Sequence, residues 1–132
     1  MIRCCIFAFG LVATPAVAMD ICAQKNNALQ LSDGKTTLAA AMPLSGAFKV
    51  GKPFNMAVQI CADDGKWELN RVNATMPIHG HGMNYQPNIK PSNRGFTVEG
   101  MLFHMPGLWR ISVDLKNGTA IKTLTSEVTV VP

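Results

Sequence analysis

Between Leu29 and Val131 the chain alternates apolar and polar residues in short runs. Clusters of Gly, Pro, Asn and Asp interrupt the runs about every ten residues, a spacing typical of all-β domains. A period of two places one set of side chains on a single face of an extended strand. The clearest case is Phe54, Met56, Val58 and Ile60, with Asn55 and Gln59 on the other face. Trp109, Ile111, Val113 and Leu115 alternate in the same way with Arg110, Ser112 and Asp114. Shorter runs cover Leu29 to Leu31, Thr36 to Met42, Glu68 to Met76 and Phe96 to Leu102, where Phe96, Val98, Gly100 and Leu102 share a face. Ala120 to Val131 closes the chain, with a candidate break at Thr125. Asp33-Gly34, Asp63-Asp64-Gly65, Pro106-Gly107 and Asn117-Gly118 supply turns, and the two prolines between Asn84 and Gly95 mark that stretch as a crossing loop. No segment has the 3.6-residue period of a helix. The expectation is an all-β, immunoglobulin-like antiparallel β-sandwich of about seven strands.

The start of the chain does not fit this pattern. Arg3, the apolar run Cys4 to Val12 and the small-residue triplet Ala16-Val17-Ala18 have the form of a secretory signal peptide. Residues 1–18 are therefore read as a signal and 19–132 as one domain, periplasmic or secreted. No later run reaches the ~20 apolar residues of a membrane span, so the mature chain is expected to have no transmembrane segment. Cys4 and Cys5 leave with the signal. The remaining pair, Cys22 and Cys61, is expected to form a disulfide in an oxidising compartment, closing a loop of about forty residues. Two thiolates holding a metal is the competing reading, and it needs a reducing compartment. The formal net charge is +4, with lysines dispersed along the chain. No basic run with interleaved aromatics is present, which argues against nucleic acid.

The three histidines are not dispersed. His79 and His81 lie within Met-Pro-Ile-His-Gly-His-Gly-Met (Met76 to Met83), and His104 lies within Phe-His-Met-Pro (Phe103 to Pro106). On an extended backbone His79, His81 and Met83 point to one face, and Gly80 and Gly82 leave the other face bare. Imidazole with thioether sulfur, and no carboxylate within the motif, suits Cu(I). The candidate metal ligands are His79, His81, Met83, His104 and Met105. Met76 continues the strand face of Val72 and Ala74 and is read as core, as is Met56. The plain alternative is a Gly-rich strand end whose histidines bond backbone carbonyls. Adjacent strand residues point to opposite faces, so His104 and Met105 serve together only where a bulge or strand end re-aims one of them.

The two motifs, Met76 to Met83 and Phe103-His104-Met105-Pro106-Gly107-Leu108-Trp109-Arg110-Ile111, together resemble the YtkA-like family. These are small exported β-sandwich domains related in pattern to the FixH proteins of cytochrome oxidase assembly. The His–Met pairing is also similar to that of periplasmic copper chaperones of the PCuAC type, with an adjacent His104-Met105 in place of His-x-Met. The resemblance implies a sandwich fold, a copper-handling role, and a membrane oxidase assembly factor or a metal exporter as partner.

Catalysis is not expected. Metallohydrolase sites that open with His-x-His need a nearby carboxylate, and Met83 stands in its place. Copper–zinc dismutases need more than three histidines, and nothing brings Asp114 or Glu99 to a Ser–His pair. Two readings result. One is a Cu(I) chaperone or buffer. The other is a non-catalytic interaction module that assists assembly of a membrane oxidase or efflux complex without metal.

Overall fold

The computed structural model describes residues 19–61 and 66–132. The signal-peptide assignment to residues 1–18 and the Asp63-Asp64-Gly65 turn lie outside them. The described chain is all-β apart from one 3-10 turn, Ile21–Ala23. Its strands are β1 Leu29–Ser32, β2 Thr37–Pro43, β3 Phe54–Ile60, β4 Glu68–Met76, β5 His81–Gly82, β6 Asn88–Ser92, β7 Gly95–Met101, β8 Gly107–Asn117 and β9 Ala120–Val130. All pairings are antiparallel, and one continuous nine-stranded sheet runs in the order β5-β4-β8-β9-β1-β2-β3-β7-β6. The sheet curls into a half-barrel, where the sequence reading expected about seven strands in a sandwich.

The curl hinges on a thin junction. β1 and β9 share the single register pair Ser32↔Thr125. The expected break at Thr125 is not a break: β9 is continuous and pairs with β8 from Asn117↔Ala120 to Gly107↔Val130. Either side of the junction, the two halves of the sheet face one core. Leu31, Met56 and Val58 from one half share a buried cluster with Val72, Ile111 and Leu124 from the other. That cluster carries the alternation read from the sequence: Trp109, Ile111, Val113 and Leu115 are buried together with Phe54, Met56 and Val58.

The two strands beyond the expected set are both edges. β6 falls in the stretch read as a loop because of its prolines. It pairs only with β7, through Pro91↔Phe96 among others, and an edge strand tolerates a residue with no N–H to donate. β5 is a two-residue strand on the far edge, paired only with β4.

Two irregularities re-phase the alternation. In β4 the register with β8 shifts between Leu69 and Arg71, so burial passes from Leu69 to Val72, Ala74 and Met76. In β7 the register with β3 shifts between Phe54↔Met101 and Met56↔Val98, leaving an extra residue on β7. Gly100 takes φ +83 there, a conformation that favours glycine. The bulge overturns the expected face of Phe96, Val98, Gly100 and Leu102. Beyond it Met101 and Phe103 turn inward, and Leu102 is only half-buried.

The N-terminal lead is tied down, not loose. Asp20 accepts a bond from the Cys22 amide, Ile21 is buried with Ala28 and Ala40, and Cys22 is disulfide-bonded to Cys61 just beyond β3. The expected bridge is present, with a Cα–Cα distance of 5.7 Å. No helix among the described residues is long and apolar enough to cross a membrane.

Candidate metal centre

The histidine motifs occupy one end of the half-barrel. β4 and β9 end there, β8 begins there, and β7 delivers the chain to it after Met101. The first motif is a hairpin and not one extended strand. Pro77, Ile78, His79 and Gly80 form a four-residue turn between the paired Met76 and His81. The amides of His79 and Gly80 both donate to the Met76 carbonyl, at 3.2 and 2.9 Å. Gly80 at φ +65 lets the chain reverse. The single face expected for His79, His81 and Met83 is therefore replaced. His79 sits in the turn, while His81 and Met83 lie on the returning arm, where the Met83 amide donates to the Ala74 carbonyl at 3.2 Å.

The second motif is a strand end, re-aimed by the Gly100 bulge. Phe103 turns into the core and its carbonyl accepts from the Gly51 amide at 2.8 Å. His104 faces solvent, and Met105 is half-buried against the core. The Trp109 indole N–H donates to the Met105 carbonyl at 2.9 Å, which pins the loop to the floor of the end. Trp109 itself is fully buried.

These local choices bring the three histidines together from two stretches of chain. The His81 and His104 ring centroids are 6.4 Å apart, and those of His79 and His81 are 6.2 Å apart. At metal–nitrogen bonds of ~2.0–2.1 Å, an imidazole centroid sits about 3 Å from its ion, so two rings on one ion lie up to about 6 Å apart. The His81–His104 separation is on that scale, and rotamer changes adjust it. His104 also stands edge-on to Trp109, with centroids 5.3 Å apart, and Trp109 packs on Phe103 at 5.0 Å. The exposed imidazole thus rests on a rigid aromatic base.

Among the described residues, no group of three or more His, Cys, Asp or Glu side chains is arranged to hold a metal ion. An ion taken up between His81 and His104 would draw its further ligands from thioether sulfur, and Met83 and Met105 both flank the histidines in a half-buried state. Met76 is buried at 1% exposure, with its methyl group 3.0 Å from where a side chain at Gly107 would begin. It is packing and not a reachable donor. The donor set is nitrogen and soft sulfur, which fits Cu(I) better than a hard cation.

Elsewhere, an apolar groove of about 400 Å³ lies against Met19, Ile21, Met42, Leu44, Ala57 and Phe96, and none of the histidines lines it. The exposed apolar residues Ile78, Tyr85 and Val131 were not singled out by the sequence pattern, because local alternation does not say which loops share an end. No protein-family model matches the chain, and neither a curated protein nor a solved structure does.

Proposed function

We propose that the chain is an exported, non-catalytic copper-binding protein that holds Cu(I) between His81 and His104 with Met83 and Met105. The observation that carries this reading is the meeting of the two histidine motifs, 23 residues apart at these positions, at a ring separation of 6.4 Å. His79 stands beside the pair as a third imidazole, available during transfer. The exposure of all three histidines suits a chaperone or buffer, since an open site exchanges ligands with a partner by stepwise substitution. On this reading the chain is YtkA-like, and the two halves of its curled sheet correspond to the layers of an immunoglobulin-like sandwich. Delivery would be to an oxidase assembly factor or a metal exporter in the membrane.

Competition titration with a chromogenic Cu(I) chelator under reducing conditions tests the proposal. One equivalent of copper should move to the protein, and the double variant His81→Ala/His104→Ala should lose it. Failure of the unaltered protein to compete for copper removes the reading and leaves the metal-free interaction module.

A further inference from the structure

The end of the fold that carries the histidines has a second property. Three large exposed apolar residues lie there: Ile78 at 75% exposure, Tyr85 at 44% and Val131 at 66%, while Met19 and Leu44 line the separate groove. Ile78 tips the β4–β5 turn, Tyr85 lies on the segment crossing from β5 to β6, and Val131 follows β9. The registers put these at one end. Pro43 in β2 pairs with Met56, Phe54 with Met101, Thr75 with Arg110, and Gly107 with Val130. The β2–β3 connection is joined directly to the histidine loop by the Gly51–Phe103 hydrogen bond and by Phe48, whose ring is 5.6 Å from Phe103. Ile121, by contrast, follows the β8–β9 turn at the opposite end.

The charge at this end has one sign. The stretches 44–53, 77–87 and 102–106 contain Lys49, Lys52 and the three histidines, and no Asp or Glu. Lys49 and Lys52 are exposed, and neither takes part in the ion pairs found among the described residues. Glu127 and Glu99, on the neighbouring strands, are held by Arg110 and Lys90.

From this we propose that the histidine end is a docking face for an anionic lipid surface. Apolar tips on separate loops, flanked by lysines, match a plane of headgroups over acyl chains. Ile78 and Val131 would enter the boundary region, Tyr85 would sit at headgroup level, and Lys49 and Lys52 would meet lipid phosphates. Separate tips suit a fluid bilayer, which reshapes around them. A protein partner of fixed shape would be better matched by one contiguous apolar patch. The inference does not depend on copper and is tested without it.

The test is co-sedimentation of the purified, metal-free protein with vesicles of phosphatidylcholine alone or mixed with phosphatidylglycerol. The protein should bind the mixed vesicles, release at high salt, and leave the neutral ones unbound. Lys49→Gln/Lys52→Gln should lower partitioning about 25-fold, from about fivefold per lysine near an anionic surface. Ile78→Ser/Tyr85→Ser should lower it as well, while Ile121→Ser, at the far end, should leave it unchanged. Absence of binding to mixed vesicles overturns the proposal, as does binding that ignores both double variants. Retention on immobilised polyglutamate without vesicle binding also overturns it, and assigns the face to an acidic polypeptide.

Discussion

Trp109→Phe is the substitution that most directly probes how the fold holds the histidine end. The indole is fully buried, donates its N–H to the Met105 carbonyl at 2.9 Å, and packs between Phe103 and His104. Phenylalanine keeps a ring against Phe103 but has no donor and a smaller volume. Loss of the hydrogen bond, with a half-buried carbonyl left to find water, costs about 1 kcal/mol. The missing ring atoms leave space in a close-packed core and add about 1–2 kcal/mol, less than the 3–5 kcal/mol of a full truncation to alanine. The expected loss is about 2–3 kcal/mol. At roughly 4 °C per kcal/mol for a domain of this size, that is a fall in Tm of about 10 °C. Urea unfolding followed by circular dichroism gives the same quantity as a lower midpoint at unchanged slope. Because the bond pins the loop that bears His104, Cu(I) affinity should fall in the folded variant too. A variant with wild-type stability and wild-type copper affinity would refute the claim that Trp109 anchors this loop.

Opening the Cys22–Cys61 bridge, by reduction or by Cys22→Ser/Cys61→Ser, should lower stability by roughly 4 kcal/mol on the chain-entropy account, read from paired urea titrations. Gly95→Ala should destabilise severely and reduce soluble yield, since φ is +148 and the new methyl group would overlap the Val58 carbonyl oxygen. Met76→Leu should cost under ~1.5 kcal/mol in thermal unfolding and leave Cu(I) stoichiometry intact, because Met76 is core. The Asp33 carboxylate lies below its ordinary range because the Thr36 and Lys35 amides donate to it at 2.9 Å. A folded-state pKa below the unfolded one means the contribution is complete above the ordinary carboxylate range and is lost as pH falls through the lowered value. Asp33→Ala should therefore weaken the β1–β2 turn at neutral pH and flatten the acid limb of the stability curve.

Much of this fold is written locally. Phe54, Met56 and Val58, or Trp109 to Leu115, reveal their strands and buried faces because alternation is a property of neighbours in sequence. The disulfide was legible from the two cysteines, Cys22 and Cys61, that remain once residues 1–18 are read as a signal. The features that escaped depend on distant pairing. β6 looks like a loop until its position at the sheet edge makes Pro91 harmless. Gly100 is one glycine among eleven until the mismatch between β3 and β7 turns it into a bulge. That bulge, and no local pattern, decides that Phe103 enters the core and His104 leaves it. The meeting of His81 with His104 was an expectation that needed the β4–β8 ladder and the β7–β8 connection to place both motifs at one end. The placement of Ile78 and Tyr85 at the same end is equally a product of topology.

The central claim, a shared nitrogen–sulfur site at that end, is tested most directly by X-ray absorption at the copper edge of the Cu(I)-loaded protein. The account predicts nitrogen and sulfur neighbours together, near the ~2.0–2.1 Å and ~2.3 Å typical of metal–imidazole and metal–sulfur bonds. The sulfur shell should vanish in Met83→Ala/Met105→Ala, and the imidazole signal should weaken in His81→Ala/His104→Ala. Copper ligated by light atoms alone, with a spectrum indifferent to both double variants, would contradict it.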